Sequence, residues 1–432
     1  MENLREIVEK DSYFIPCVKR FFEEPILIVK GKGAIVTDST GKEYLDLFTS
    51  HGVNFLGHNH PKVVAAIKQQ AEELLCYGYD VHTVPAAKLA EKLAQIAPRP
   101  LKNSYFVSAG AEAVECSLFL ARKFSKRYEV ISLYGGFHGR TYGARSLLGW
   151  SALKQGVGPF LPGFTHIPSY YCYRCTLGLE YPECGLQCAK MLEDVLRYQC
   201  AGDVAAFIAE PVQGTAGNIP APKEYFKEIK KILDSHGILL VDDEMFTGLG
   251  RTGALFGIEH YGVEPDIMTI GKALGGGVPI SAVMASEKVS AAFSEGGVYY
   301  TTYGGNPLCC ASAFASVSVI LQEKLHERSE KLGQYFMKRL NELAEKHDII
   351  GDVRGKGLFI GVELVKDRRT KEPARSESIK LRNEAKKRGV LICAGMGWLA
   401  NTIRLNPPGV ITEDQVDHAV EVLDMSLKVV IS

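Results

Sequence analysis

Short apolar runs recur through the middle of this chain, each followed by an amphipathic or polar stretch, and that alternation limits the fold to a few choices. Residues 104–107, 130–133, 205–208, 238–241, 266–270 and 280–284 read as strands, and 111–126 and 223–236 read as helices. Continuous apolar strands separated by helices indicate a mostly parallel sheet covered on both faces. A long helix over 307 to about 325 leads to a second region with strands at 357–363 and 390–392 and helices at 376–387 and 412–427. The last of these opens on the capping box Thr412-Glu-Asp-Gln415. At the other end, residues 34–36 and 43–45 flank Asp38-Ser-Thr-Gly41, a hairpin signal. The expected class is α/β. Residues 61–325 form a large domain, with a cysteine-containing insertion at about 170–190, and residues 1–60 and 326–432 build a small α+β domain from both termini.

Lys272 lies in Thr269-Ile-Gly-Lys-Ala-Leu-Gly-Gly-Gly277, after an apolar strand, and Asp243 ends another such strand. A lysine on a glycine-rich turn behind a buried strand can be desolvated and used as a nucleophilic amine. A carboxylate on a neighbouring strand end can hold a cationic ring nitrogen. Together they point to pyridoxal phosphate (PLP), with Lys272 as the Schiff-base lysine and Asp243 keeping the pyridinium protonated.

Charge and composition remove several other classes. Fifty basic residues balance fifty acidic ones, so no long-range field favours nucleic acid or an anionic membrane. No apolar run is long enough to span a bilayer. The charged, mixed-sign start resembles neither a signal peptide nor a transit peptide. The eleven scattered cysteines suggest a reduced, cytoplasmic protein.

Other motifs carry weaker signals. Ile238-Leu-Leu-Val-Asp-Asp-Glu244 resembles the acidic strand of an ATPase, but no phosphate-loop partner exists; alone, it would read as exposed acids at a strand end. Gly248-Leu-Gly-Arg-Thr-Gly253 matches the dinucleotide fingerprint, yet it neither follows its strand directly nor opens a helix. Ser108-Ala-Gly-Ala-Glu-Ala-Val-Glu115 joins a strand to a helix through small residues, a junction that either cradles a phosphate or is simply a tight turn. In Gly135-Gly-Phe-His-Gly-Arg-Thr141, Phe137 can stack on a flat heterocycle and His138 can support Asp243, or serve only structure. Cys172, Cys175, Cys184 and Cys188 form two close pairs that would suit a structural zinc or an iron–sulfur centre; a disulfide-stapled hairpin and free thiols are the alternatives.

With these residues in hand, the chain resembles the class III (omega) aminotransferases of PLP fold type I over nearly its whole length. The resemblance rests on Gly57-His-Asn-His-Pro61, the 108–115 junction, Phe137-His-Gly-Arg140, Glu210-Pro-Val-Gln-Gly214, the run from Asp243 to Gly253, Gly271-Lys272, Thr302-Tyr-Gly-Gly-Asn-Pro307 and Arg354-Gly-Lys-Gly357. It implies that Lys272, once released by the substrate amine, shuttles the proton. It also implies that Met245 and Phe137 sandwich the ring and that Gly110 and Ala111 give backbone N–H groups to the phosphate. Thr302 would reach the phosphate of the partner's cofactor, making the active unit a homodimer or a dimer of dimers. Arg404, in Asn401-Thr-Ile-Arg-Leu-Asn-Pro407, falls where the family binds a carboxylate.

Two departures stand out. Members using 2-oxoglutarate typically carry a glutamate just after Gln-Gly that covers this arginine; here the residue is Thr215. Arg404 then stays available, which favours pyruvate or glyoxylate, as in the alanine–glyoxylate and 3-aminoisobutyrate–pyruvate branch. Phe246 replaces a common glutamine near the cofactor's phenolic oxygen and cannot donate that hydrogen bond. The expected activity is ping-pong transfer of an amino group from an (omega-)amino acid to a 2-oxo acid. The alternatives are a 4-aminobutyrate or ornithine type using 2-oxoglutarate, a racemase, decarboxylase or phospho-lyase on the same fold, and a metal-stapled interaction protein.

Overall fold

The computed structural model describes residues 4–15, 20–294 and 299–431. A seven-stranded sheet runs through its centre. In chain order the strands are β1 (Asn103–Val107), β2 (Glu129–Leu133), β3 (Phe164–Ile167), β4 (Val204–Ala209), β5 (Leu239–Glu244), β6 (Ile267–Ile270) and β7 (Ser281–Ala285). Their spatial order is β1-β7-β6-β5-β4-β2-β3. All neighbours are parallel except β7, which is antiparallel to both β6 and β1. The reason is the connection: residues 271–280 form a compact turn between β6 and β7, and a parallel return would need a crossover helix. Every residue of β2, β4, β5, β6 and β7 is buried, as expected of mostly apolar strands covered on both faces, and with them the acids at the end of β5. The α/β architecture read from the sequence is therefore the one the chain adopts.

Helices Gly110–Ser125 and Tyr225–His236 fall where the amphipathic pattern places them. The helix expected over 307 to about 325 forms and stops three residues early. Pro307–Gln322 ends, Lys324 turns into the left-handed region (φ 49°), and Leu325–Lys346 leaves at a 61° bend. The first half packs on helices Pro61–Glu73 and Val84–Ile96, which the sequence reading left unassigned. Among the described residues no single helix is long and apolar enough to cross a membrane.

A second, antiparallel sheet orders Ile350–Lys356, Phe359–Leu364, Thr402–Leu405 and Cys393–Met396. A third joins Ile28–Lys32, Ile35–Asp38 and Glu43–Asp46 to Val390–Leu391, so both ends of the chain share one sheet. The hairpin turn closes as its residues suggest, with Asp38 Oδ1 accepting from the Thr40 and Lys42 N–H groups. The capping box also forms. Gln415 N–H donates to Thr412 Oγ1 and Thr412 N–H to Gln415 Oε1, opening Glu413–Ile431.

Candidate active site

The end of β5 sets the floor of the site. Successive strand residues face opposite sides, so Asp243 points one way and Asp242 and Glu244 the other. All three are buried, which overturns the reading of exposed acids at a strand end. Burial raises the pKa of Asp242, and it pushes Glu244 up to about 7. Asp243 is held by three donors. His138 Nδ1 lies 2.7 Å from Oδ2, while Thr269 Oγ1 (3.0 Å) and the Met245 N–H (3.1 Å) donate to Oδ1. A carboxylate only accepts, so Nδ1 carries the His138 proton. Thr269 was not anticipated. It sits directly across from Asp243 in the β5–β6 pairing, a register that spacing along one strand does not reveal.

Lys272 follows β6 immediately and occupies the left-handed region (φ 41°), an unusual backbone for a side chain of its size. Its Nζ donates to Met245 O at 3.3 Å and lies 4.2 Å from the Phe246 ring centroid. Lys272 and Asp243 thus meet at one residue, Met245, whose N–H serves the acid and whose carbonyl serves the amine. Burial lowers the Lys272 pKa to about 8, with Asp243 and Glu210 pulling the other way.

These groups open onto a cleft of about 480 Å³ whose wall includes Gly110, Ala111, Phe137, His138, Phe246 and Lys272. At one end helix Gly110–Ser125 begins with no side-chain cap on its first turn, leaving backbone N–H groups for an anion. A Cβ on Gly110 would stand 2.8 Å from Met245 Sδ, so this approach needs glycine. The cleft therefore has the features PLP requires: a buried amine, a braced carboxylate at the strand end, an aromatic wall and a bare helix start. Thr302 lies on an exposed turn and does not line this cleft.

Arg404, 1% exposed, points its guanidinium toward the same Phe246 ring, 5.8 Å from the centroid. It donates to Gly214 O (3.3 Å), to Cys393 Sγ (3.3 Å) and, through Nη2, to His51 Nδ1 (3.2 Å). Among the described residues its Nε has no partner and no carboxylate bonds to it. Phe246 also packs on Phe359, 4.6 Å between centroids. Glu210 was quoted only as part of a motif. It is buried beneath the cleft, accepts from the Phe137 and Gly214 N–H groups at 3.0 and 2.9 Å, and is pushed up to about 7 by burial.

One sequence expectation finds no support. Among the described residues no group of three or more His, Cys, Asp or Glu side chains is arranged to hold a metal. Cys172, Cys175, Cys184 and Cys188 form no disulfide and make up no such group, so the zinc or iron–sulfur reading finds no support. Cys172 sits in a one-turn helix and donates to Tyr170 O at 3.7 Å, whereas Cys188 belongs to helix Gln187–Tyr198. Aromatic and charged side chains anchor the segment instead. Tyr170 donates to Glu210 O, Tyr171 and Arg174 both bond Glu363, and Tyr171 meets Trp398 edge-on at 5.6 Å. The 248–253 segment opens no helix, as its sequence context indicates. Its Arg251 is buried and donates to Gly52 O and Pro407 O.

The sheet order, the strand-end lysine and acid, and the anion-ready helix start define a PLP-dependent enzyme. The model of the family "Aminotransferase class-III" matches residues 19–427, and the chain belongs to that family. It is 40% identical over 427 residues to the leucine/methionine racemase of Thermococcus litoralis, covering 98% of this chain and 95% of that one. It is also 40% identical over 424 residues to the acetylornithine aminotransferase of Methanopyrus kandleri, covering 98% of each. The PLP-bound amine transaminase of an uncultivated Pseudomonas species superposes with a TM-score of 0.88 at 32% identity, covering 94% and 95% of the two chains. The enzyme is a class III aminotransferase acting on small molecules.

Proposed function

We propose that this enzyme moves the amino group of an amino acid to a small 2-oxo acid, with pyruvate or glyoxylate preferred over 2-oxoglutarate. One observation carries the preference: Arg404 is buried beside Phe246, a wall residue of the cleft, and has only neutral partners, while neutral Thr215 lines the cleft. A guanidinium left uncovered binds an α-carboxylate in every half-reaction.

When bound, PLP supplies an aldehyde that takes up the amino group and a ring that accepts electrons. Lys272 serves first as the amine that anchors it and then as the base at the substrate carbon bearing nitrogen, helped by its lowered pKa. Asp243 would pair with the ring nitrogen, and His138 and Thr269 keep its two oxygens from rotating away. Gly110 and Ala111 would hold the phosphate, and Phe137 and Met245 would hold the ring faces. Thr302, exposed on its own chain, reaches the phosphate held by a second copy, so the active unit is a homodimer. Cytoplasmic residence belongs to the same reading and suits ten described cysteines that are all free.

A donor–acceptor panel tests this, pairing alanine, beta-alanine, 4-aminobutyrate, ornithine and acetylornithine with pyruvate, glyoxylate and 2-oxoglutarate. Preference for 2-oxoglutarate defeats the proposal. A second reading, racemisation of neutral amino acids, is favoured by the likeness to a leucine/methionine racemase. Loss of optical rotation from L-leucine or L-methionine without any oxo acid, and without build-up of the aminated cofactor, would establish it.

A further inference from the structure

Residues Thr49, Ser50 and His51 all occupy the left-handed region (φ 47°, 51° and 58°) and Gly52 follows at φ 85°. Three consecutive non-glycine residues in that region are costly and persist only where the surroundings impose them. Here they do. Asp46 Oδ1 accepts from the Phe48 and Thr49 N–H groups, Thr49 Oγ1 donates to Asn406 O, and Arg251 donates to Gly52 O. A Cβ on Gly52 would collide with the Phe246 ring, so the turn lies directly against the cleft floor. The product of this construction is His51, wedged edge-on against Phe48 (4.5 Å) with Nδ1 on Arg404.

We propose that His51 is a positioning and specificity residue that aims Arg404 at a ligand carboxylate without neutralising it. The inference rests on Arg404 being the carboxylate site. A guanidinium offers only donors, so Nδ1 must accept and the neutral ring must carry its proton on Nε2. The surroundings agree: although the residue keeps an edge open to solvent, desolvation of the ring first, then the cations Arg404, Lys272 and Arg140, lower the His51 pKa to about 4, the direction its acceptor role toward Arg404 requires. An acidic side chain in this place would fix the arginine equally well but would compete with the ligand for it. A neutral acceptor fixes the arginine and leaves its charge for the substrate, in a chain whose other approach to Arg404 is taken by a backbone carbonyl and a thiol.

The test compares His51→Leu, His51→Gln and Arg404→Leu as holoenzymes. Propionate binding is read by calorimetry, and kcat and KM are measured for pyruvate with one fixed donor. His51→Leu raises the propionate Kd and the pyruvate KM about tenfold, as expected for losing one charge-assisted hydrogen bond, and kcat stays within about twofold. His51→Gln, which keeps a neutral acceptor, recovers most of the loss. Equal effects of Leu and Gln, or no effect of either, overturn the inference. Unchanged propionate binding in Arg404→Leu overturns the carboxylate-site reading and this inference with it; loss there with His51→Leu unmoved overturns the inference alone. Should the leucine variant fail to fold, His51→Glu replaces it. Glu must weaken propionate binding more than Gln does, and equal affinities reject the proposal.

Discussion

The floor of the cleft and the cysteine-bearing segment 172–188 are both crowded with reactive side chains, yet the chain holds them in opposite ways. Around Asp243 two parallel strands in fixed register put Thr269 opposite the acid, and the turn after β6 brings Lys272 onto Met245. Asp243 Oδ1 and Lys272 Nζ find their partners, Thr269 and Met245, on strand β6 and just past the end of β5. In 172–188 the backbone turns irregularly, and the anchors are Tyr170, Tyr171 and Arg174. The thiols are carried along. A reactive cluster becomes a site where secondary structure, and not the reactive groups themselves, fixes the distances.

Removing the amine breaks the comparison most severely. Lys272→Ala should lower kcat at least about 10⁴-fold and abolish the absorbance of the lysine-bound cofactor, because nucleophile and base are lost together. Full activity in that variant would end the assignment of the floor. Asp243→Asn is next. It keeps the shape and the bonds from Thr269 and Met245 but removes the charge, and a loss of about 10²- to 10³-fold in kcat is expected with the cofactor still bound. The lowered pKa of Lys272 adds a pH test. The free amine fraction grows as pH rises toward about 8, so cofactor uptake by the apoenzyme should accelerate about tenfold per pH unit below that point and level off above it. Uptake still climbing steeply to the pKa of an ordinary lysine would show that the amine is not desolvated.

The same contrast explains what the sequence made readable. The apolar runs announced the strands because a doubly covered sheet tolerates little else, and Lys272 and Asp243 were visible because strand ends are where such sheets present chemistry. The antiparallel β7 was hidden, since alternation reports burial and not direction. Thr269 and the His51–Arg404 contact were hidden for a related reason: they depend on register and on chain segments far apart. The break at Lys324 had no glycine or proline to mark it. Arg404 was placed by its surrounding motif alone; what the structure adds is its neutral company. Arg404→Leu should accordingly raise the pyruvate KM about 100-fold, the scale of losing a buried charged partner.

The smallest effect expected is on the other side of the comparison. Replacing Cys172, Cys175, Cys184 and Cys188 together by serine should leave kcat and KM unchanged and shift stability by less than ~1 kcal/mol, with elemental analysis of the parent protein finding no stoichiometric zinc or iron. The half-buried thiols of Cys175, Cys184 and Cys188 contribute some apolar contact, which serine loses, and desolvation raises the Cys172 and Cys188 thiols to about 11, so both stay protonated. Arg174→Ala in the same segment should destabilise more than all four serines, because it leaves Glu363 buried with one fewer cation. If the ranking reversed, and the four serines unfolded the protein while Arg174→Ala did not, the thiols would be the staple and the aromatic and charged anchors the passengers.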